Sequence, residues 1–143
     1  MSAAVSTADR LAIAADCERL CLDYCFLADT GAMDAWADLF AEDAEMHLFG
    51  KVHAGRAAIR VSVDGGGART TVHSLSNVRI DVTGPETARG TAYVTVFSAD
   101  KANPGPNALA AKMIGLYRDD YRRTTAGWRI ARRVFEPLIT PGR

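Results

Sequence analysis

The sequence predicts an α+β fold, a cone-shaped α+β barrel in which N-terminal helices pack in a curved, mostly antiparallel sheet. Three observations predict it. Helical spacing of apolar residues dominates before Asp64, period-two alternation takes over after Asp64-Gly-Gly-Gly67, and short turn signals separate the alternating runs into a meander. A sheet wrapped over a long helix leaves an interior pocket, so the same pattern predicts a place to hold a small molecule.

The elements follow in order. Thr7 suits the N-cap of a first helix running to about Ala28, where Thr30-Gly31 stops it. Its apolar stripe comprises Leu11, Cys17, Cys21, Leu22, Cys25 and Ala28, with Arg10, Glu18 and Arg19 on the wet side. A second short helix, about Asp34 to Ala41, offers Trp36, Leu39 and Phe40 to the core. Ala44 to Phe49 reads as a short strand, and Gly55 precedes a third helix from Arg56 to about Val63. The meander then comprises Thr70 to Val82, Ala88 to Ser98, Leu109 to Arg123 and Trp128 to Phe135. Thr83-Gly84-Pro85-Glu86 and Thr125-Ala126-Gly127 make the tight turns, and Asn103 to Asn107 a longer loop. No repeat or linker divides the chain, and 143 residues suit a single domain, 1–143.

Composition excludes several function classes. Lysine plus arginine equals aspartate plus glutamate at 17 each, so no nucleic-acid partner is expected. The N-terminus lacks a basic region followed by an apolar run, and no window approaches the ~18 apolar residues of a membrane span; a cytoplasmic protein without a membrane partner is the expectation. Cys17, Cys21 and Cys25 recur every fourth residue on one helix, where they read as small buried residues rather than a metal or cluster site. The three histidines are not spaced as metal ligands, so no metal and no cofactor is expected. Asp64-Gly-Gly-Gly67 lacks the Lys-Ser/Thr of a phosphate loop and reads as a flexible connection.

The chemistry concentrates at two places. Asp29, four residues after Cys25 and seven after Leu22, points its carboxylate over the apolar stripe, where an unpaired charge is costly. His73 opens the first long strand and shares a face with Thr71, Leu75 and Asn77. An Asp29–His73 hydrogen bond would fix the imidazole tautomer and leave the other nitrogen as a proton acceptor. Tyr24 lies about 140° from Asp29 on the wheel and converges with it only if the helix end distorts. The last strand brings Arg129, Arg132 and Arg133 on both faces, and an inward one could hold a leaving group or developing oxyanion. Trp36, Phe40, His47, Leu75, Phe97 and Met113 are expected to line the pocket, while His47 and His53 are weaker chemical candidates.

The motifs Tyr24…Asp29, Trp36-Ala-Asp-Leu-Phe-Ala-Glu-Asp43, Gly55-Arg-Ala-Ala-Ile59, His73…Asn77-Val-Arg-Ile-Asp81 and Tyr121-Arg-Arg…Gly127-Trp-Arg-Ile130 resemble the SnoaL-like branch of the nuclear-transport-factor-2-like superfamily, over about 9–137. The nearest catalytic patterns are those of the scytalone dehydratase, bile-acid 7α-dehydratase and hexachlorocyclohexane dehydrochlorinase group. That resemblance implies an Asp29–His73 dyad removing a proton during elimination, with Tyr24 and Arg133 matching further functional positions. It also implies a homodimer or homotrimer. The lysine that the dehydrochlorinase carries before its aspartate is Tyr24 here, and scytalone dehydratase's second histidine has no counterpart in Ala88 to Ser98. The implied function is a cofactor-independent lyase or isomerase acting on a hydrophobic, cyclic small molecule. A non-catalytic binding module and a polyketide-cyclase or hydrolase-type enzyme are the alternatives.

Overall fold

The computed structural model describes residues 4–65 and 67–142. A 24-residue helix, α1 (Thr7–Thr30), is followed by the single-turn helix α2 (Met33–Ala37). The hairpin β1 (Phe40–Leu48) and β2 (Lys51–Ala54) and the short helix α3 (Arg56–Arg60) come next. Four long strands complete the chain: β3 (Arg69–Val82), β4 (Thr87–Asp100), β5 (Ala111–Thr124) and β6 (Gly127–Ile139). All six strands form one curved sheet in the order β2-β1-β6-β5-β4-β3. It is antiparallel except where β1 runs parallel to β6, and it stays open between β2 and β3, so the expected barrel is unclosed. Among the described residues, no helix is long and apolar enough to cross a membrane.

Ser6, not Thr7, caps α1: its hydroxyl oxygen accepts from the Asp9 backbone N–H at 3.1 Å. Gly31 ends the helix in the left-handed region, φ 75°. Ile13, Cys17, Leu20, Cys21, Tyr24 and Cys25 form the buried stripe, packed in the sheet's concave face. Leu11 and Leu22, expected on that stripe, lie on the exposed side instead. The second helix is shorter than its apolar spacing suggests. It stops at Ala37, and Phe40 and Ala41 enter β1, where Phe40 pairs with Ile130 of β6. Burial of Phe40 is satisfied by either element, so the tertiary pairing decides. The strand β2 has no counterpart among the elements expected from the sequence.

Two of the sheet's register shifts change which side chains face the cavity. Asn77, at φ 52°, sits in a bulge between Ser76 and Arg79. Before it Thr71, His73 and Leu75 point inward; after it Val78, Ile80 and Val82 do, so one strand changes inward parity midway. The second shift lies between β4 and β5, where Met113 pairs with Val96 but Ala111 pairs with Phe97.

Candidate active site

β3 is an edge strand, so half of its backbone N–H groups lack a neighbouring strand and need another partner. At His73 that partner is the last turn of α1. The His73 backbone N–H donates to Asp29 Oδ2 at 2.8 Å, and His73 Nδ1 lies 2.5 Å from Asp29 Oδ1. A carboxylate can only accept, so Nδ1 carries the proton and, in the neutral ring, Nε2 is the acceptor. Only 18% of the Asp29 side chain and 19% of that of His73 are exposed, sheltered but not sealed.

The imidazole stands on the wall of a cavity of about 300 Å³ between the end of α1 and the sheet. Tyr24, Met33, Trp36, Val96, Met113 and Phe135 make most of that wall apolar. Phe135 packs directly over Gly115, where a Cβ would sit 2.2 Å from the ring. Other clefts, of about 450 and 520 Å³, are more spacious but lined mainly by charged residues: Arg79, Asp81, Arg89 and Arg118 on the sheet, and Asp34, Asp38 and Arg56 beside the short helices. Neither offers an apolar enclosure or a paired imidazole.

Below the cavity lies a sealed polar cluster. Arg133 is fully buried, and its Nε and Nη2 donate to the two oxygens of Asp119 at 2.8 and 2.7 Å. Tyr121 donates to Asp119 at 2.7 Å, and its hydroxyl lies 2.8 Å from the Cys21 sulfur. The guanidinium is stacked between the rings of Tyr24 and Tyr117, 4.1 and 4.0 Å from their centroids. Its Nη1 is the one nitrogen of the group without a hydrogen-bond partner. Burial pushes the Tyr24 phenol up to about 12 against the pull of Arg133, and pushes Tyr117 well above its ordinary value. Both phenols therefore stay neutral near neutral pH, and the Tyr24 hydroxyl donates to the buried Met46 sulfur at 3.8 Å.

The structure brings Asp29, His73, Tyr24, Trp36 and Met113 together around one space. Four expected wall residues lie elsewhere. Phe40 is a layer deeper, its ring 5.4 Å from Trp36 and 6.0 Å from Tyr24. Leu75 packs on the core away from the cavity wall. His47 reaches Glu45 at 3.1 Å in a partly exposed position. Phe97 faces the opposite side of the sheet, in a groove with Val72 and Leu109, because alternation places it against Val96. Arg133 points inward while Arg132 is exposed, near Glu45. Arg133 does not reach the cavity wall itself; Tyr24 and Tyr117 do. From sequence alone Tyr117 and Asp119 receive no site role and Tyr121 figures only in a family motif, although the three share one parity of β5 and a buried carboxylate between two tyrosines is a usable signal.

Comparison with known proteins agrees with this architecture. A protein from Novosphingobium aromaticivorans named as a candidate scytalone dehydratase superposes with a TM-score of 0.82 at 24% identity, over 96% of this chain and 92% of its own. A nuclear-transport-factor-2-like protein with a cystatin-like fold, also from N. aromaticivorans, gives 0.76 at 28% identity over 96% and 92%. A candidate aromatic ring hydroxylase from the same organism gives 0.74 at 29% identity over 94% and 92%. None of the curated proteins matches the chain in sequence. The model of the SnoaL-like domain matches residues 9–134, and the chain belongs to that family.

Proposed function

We propose that this SnoaL-like domain, of a family of small-molecule-binding and enzymatic domains, is a cofactor-independent lyase or isomerase acting on a hydrophobic, cyclic small molecule. The observation that carries the reading is an Asp29–His73 hydrogen bond at the wall of a sheltered apolar cavity. His73 Nε2 abstracts a proton from carbon beside a leaving or activating group. Asp29 holds the ring in the competent tautomer and stabilises the imidazolium that forms. The neutral Tyr24 phenol exchanges its weak hydrogen bond to the buried Met46 sulfur for one to the departing or electron-accepting atom, and the guanidinium of Arg133 stacked on its ring steadies the charge that gathers there. Arg133 thus acts through Tyr24 rather than by touching the substrate. In elimination the carbon–leaving-group bond breaks as the double bond forms. A hydroxyl departs as water with the imidazolium's proton, and a halide departs as the anion while the imidazolium loses its proton to solvent. In isomerisation the imidazolium returns its proton to another carbon.

The test is a panel of cyclic alcohols, halides and enolisable ketones presented to wild type, Asp29→Asn and His73→Ala. Turnover by wild type that both variants lose supports the dyad. Turnover that both variants retain at full rate removes it, and a ligand bound and recovered unchanged favours the binding-module reading. We also propose a homodimer or homotrimer, for which light scattering in solution gives the subunit count.

A further inference from the structure

The cavity wall contains two sequence neighbours, Lys112 and Met113. Adjacent residues of a regular strand point to opposite faces, so only one of them should reach it. Both do because the β4–β5 register slips: Met113 pairs with Val96, Ala111 with Phe97, and Lys112 is the extra residue of a bulge. The slip brings the exposed Lys112 to the rim of the same space that Met113, Trp36 and Phe135 make apolar and that Asp64 also borders. Lys112 makes no ion pair or hydrogen bond among the described residues. The nearby acidic groups are engaged elsewhere. Asp29 is bound to His73, and the Asp64 carboxylate lies against Gly67, 2.6 Å from where a Cβ would stand.

We propose that Lys112 is a specificity residue, and that the natural ligand is an apolar molecule bearing an anionic oxygen group at one end. The apolar body fills the chamber beside His73, and Lys112 receives the anion at the rim through a charge-assisted hydrogen bond. An anion placed there is partly wet, so its contribution is modest and sensitive to salt. The inference rests on the chamber being the ligand site, as proposed above, but does not require the proton transfer.

The experiment compares 8-anilinonaphthalene-1-sulfonate with its neutral parent, N-phenyl-1-naphthylamine, by fluorescence titration of wild type, Lys112→Met and Lys112→Arg. Methionine keeps the apolar stem and removes the charge. Lys112→Met is expected to weaken the sulfonate about fivefold while moving the neutral probe less than twofold, Lys112→Arg to retain the sulfonate, and added salt to erase the difference. Unchanged sulfonate affinity in Lys112→Met, equal weakening of both probes, or no sulfonate binding to wild type overturns the proposal. Neither probe offers a leaving group, so this result and the turnover panel can fail independently.

Discussion

Two partnerships between a carboxylate and a basic side chain lie within one shell, and they are built to opposite ends. Asp119 and Arg133 are both about 1% exposed at the side chain, and two nitrogens, two oxygens, a phenol and a thiol satisfy one another there. Asp29 and His73 are also bonded, yet nearly a fifth of each side chain remains accessible and the imidazole keeps an acceptor nitrogen. A buried pair with almost every bond filled fixes shape, because losing one member strands the other's charge in low dielectric. A partnership with one position left open can exchange a proton with a guest. The difference between the two regions is thus one of saturation, and substitutions should separate them cleanly.

The largest expected effect belongs to the open region. His73→Ala should lower turnover of a substrate found in the panel by about 10²–10⁴. Its melting temperature should stay close to that of wild type; a large drop in stability would erase the distinction. Next comes the closed region. Asp119→Ala should cost about 3–5 kcal/mol in denaturant unfolding, since Arg133 would then be buried without a counter-charge. A cost below about 1 kcal/mol would mean that water or backbone readily replaces the carboxylate.

The closed region should also keep reagents out. Burial pushes the thiols of Cys17 and Cys25 up to about 12 and that of Cys21 to about 11. All three should resist iodoacetamide in the native state near neutral pH and react in denaturant. Because these groups lose protons later when folded than when unfolded, their contribution to stability is full below about 9 and declines as pH rises toward about 12. An alkaline unfolding titration reads that decline, and stability that rose across the window would contradict it. The smallest effect is expected at Arg132, exposed beside Glu45 at 3.9 Å, where alanine should cost under about 1 kcal/mol.

How much of this the sequence reveals depends on whether local periodicity or tertiary pairing decides a residue's place. The long helix, the four long strands and their turns are legible because α1 and β3–β6 are long enough for their periods to show even where bulges interrupt the strands. The pairing of Asp29 with His73 is expected from a carboxylate over an apolar stripe and a histidine opening the first long strand, although the apolar residues Val72, Val78, Ile80 and Val82 hold the opposite parity of that strand. Phe40 is read into the wrong element because its burial is the same in a helix or in β1. The bulges at Asn77 and Lys112 are invisible to a fixed period of two, and they decide which side chains face the interior. The Asp119–Arg133 pair needed the β5–β6 register, where Asp119 stands opposite Arg133, a fact no single strand records.

Nitrogen-15 NMR of the His73 imidazole, at a pH where the ring is neutral, tests the central claim most directly. In wild type the proton should reside on Nδ1, held by Asp29, leaving Nε2 bare; Asp29→Asn should release that preference. A neutral ring protonated mainly on Nε2 in wild type would contradict the account, because no acceptor nitrogen would then face the chamber.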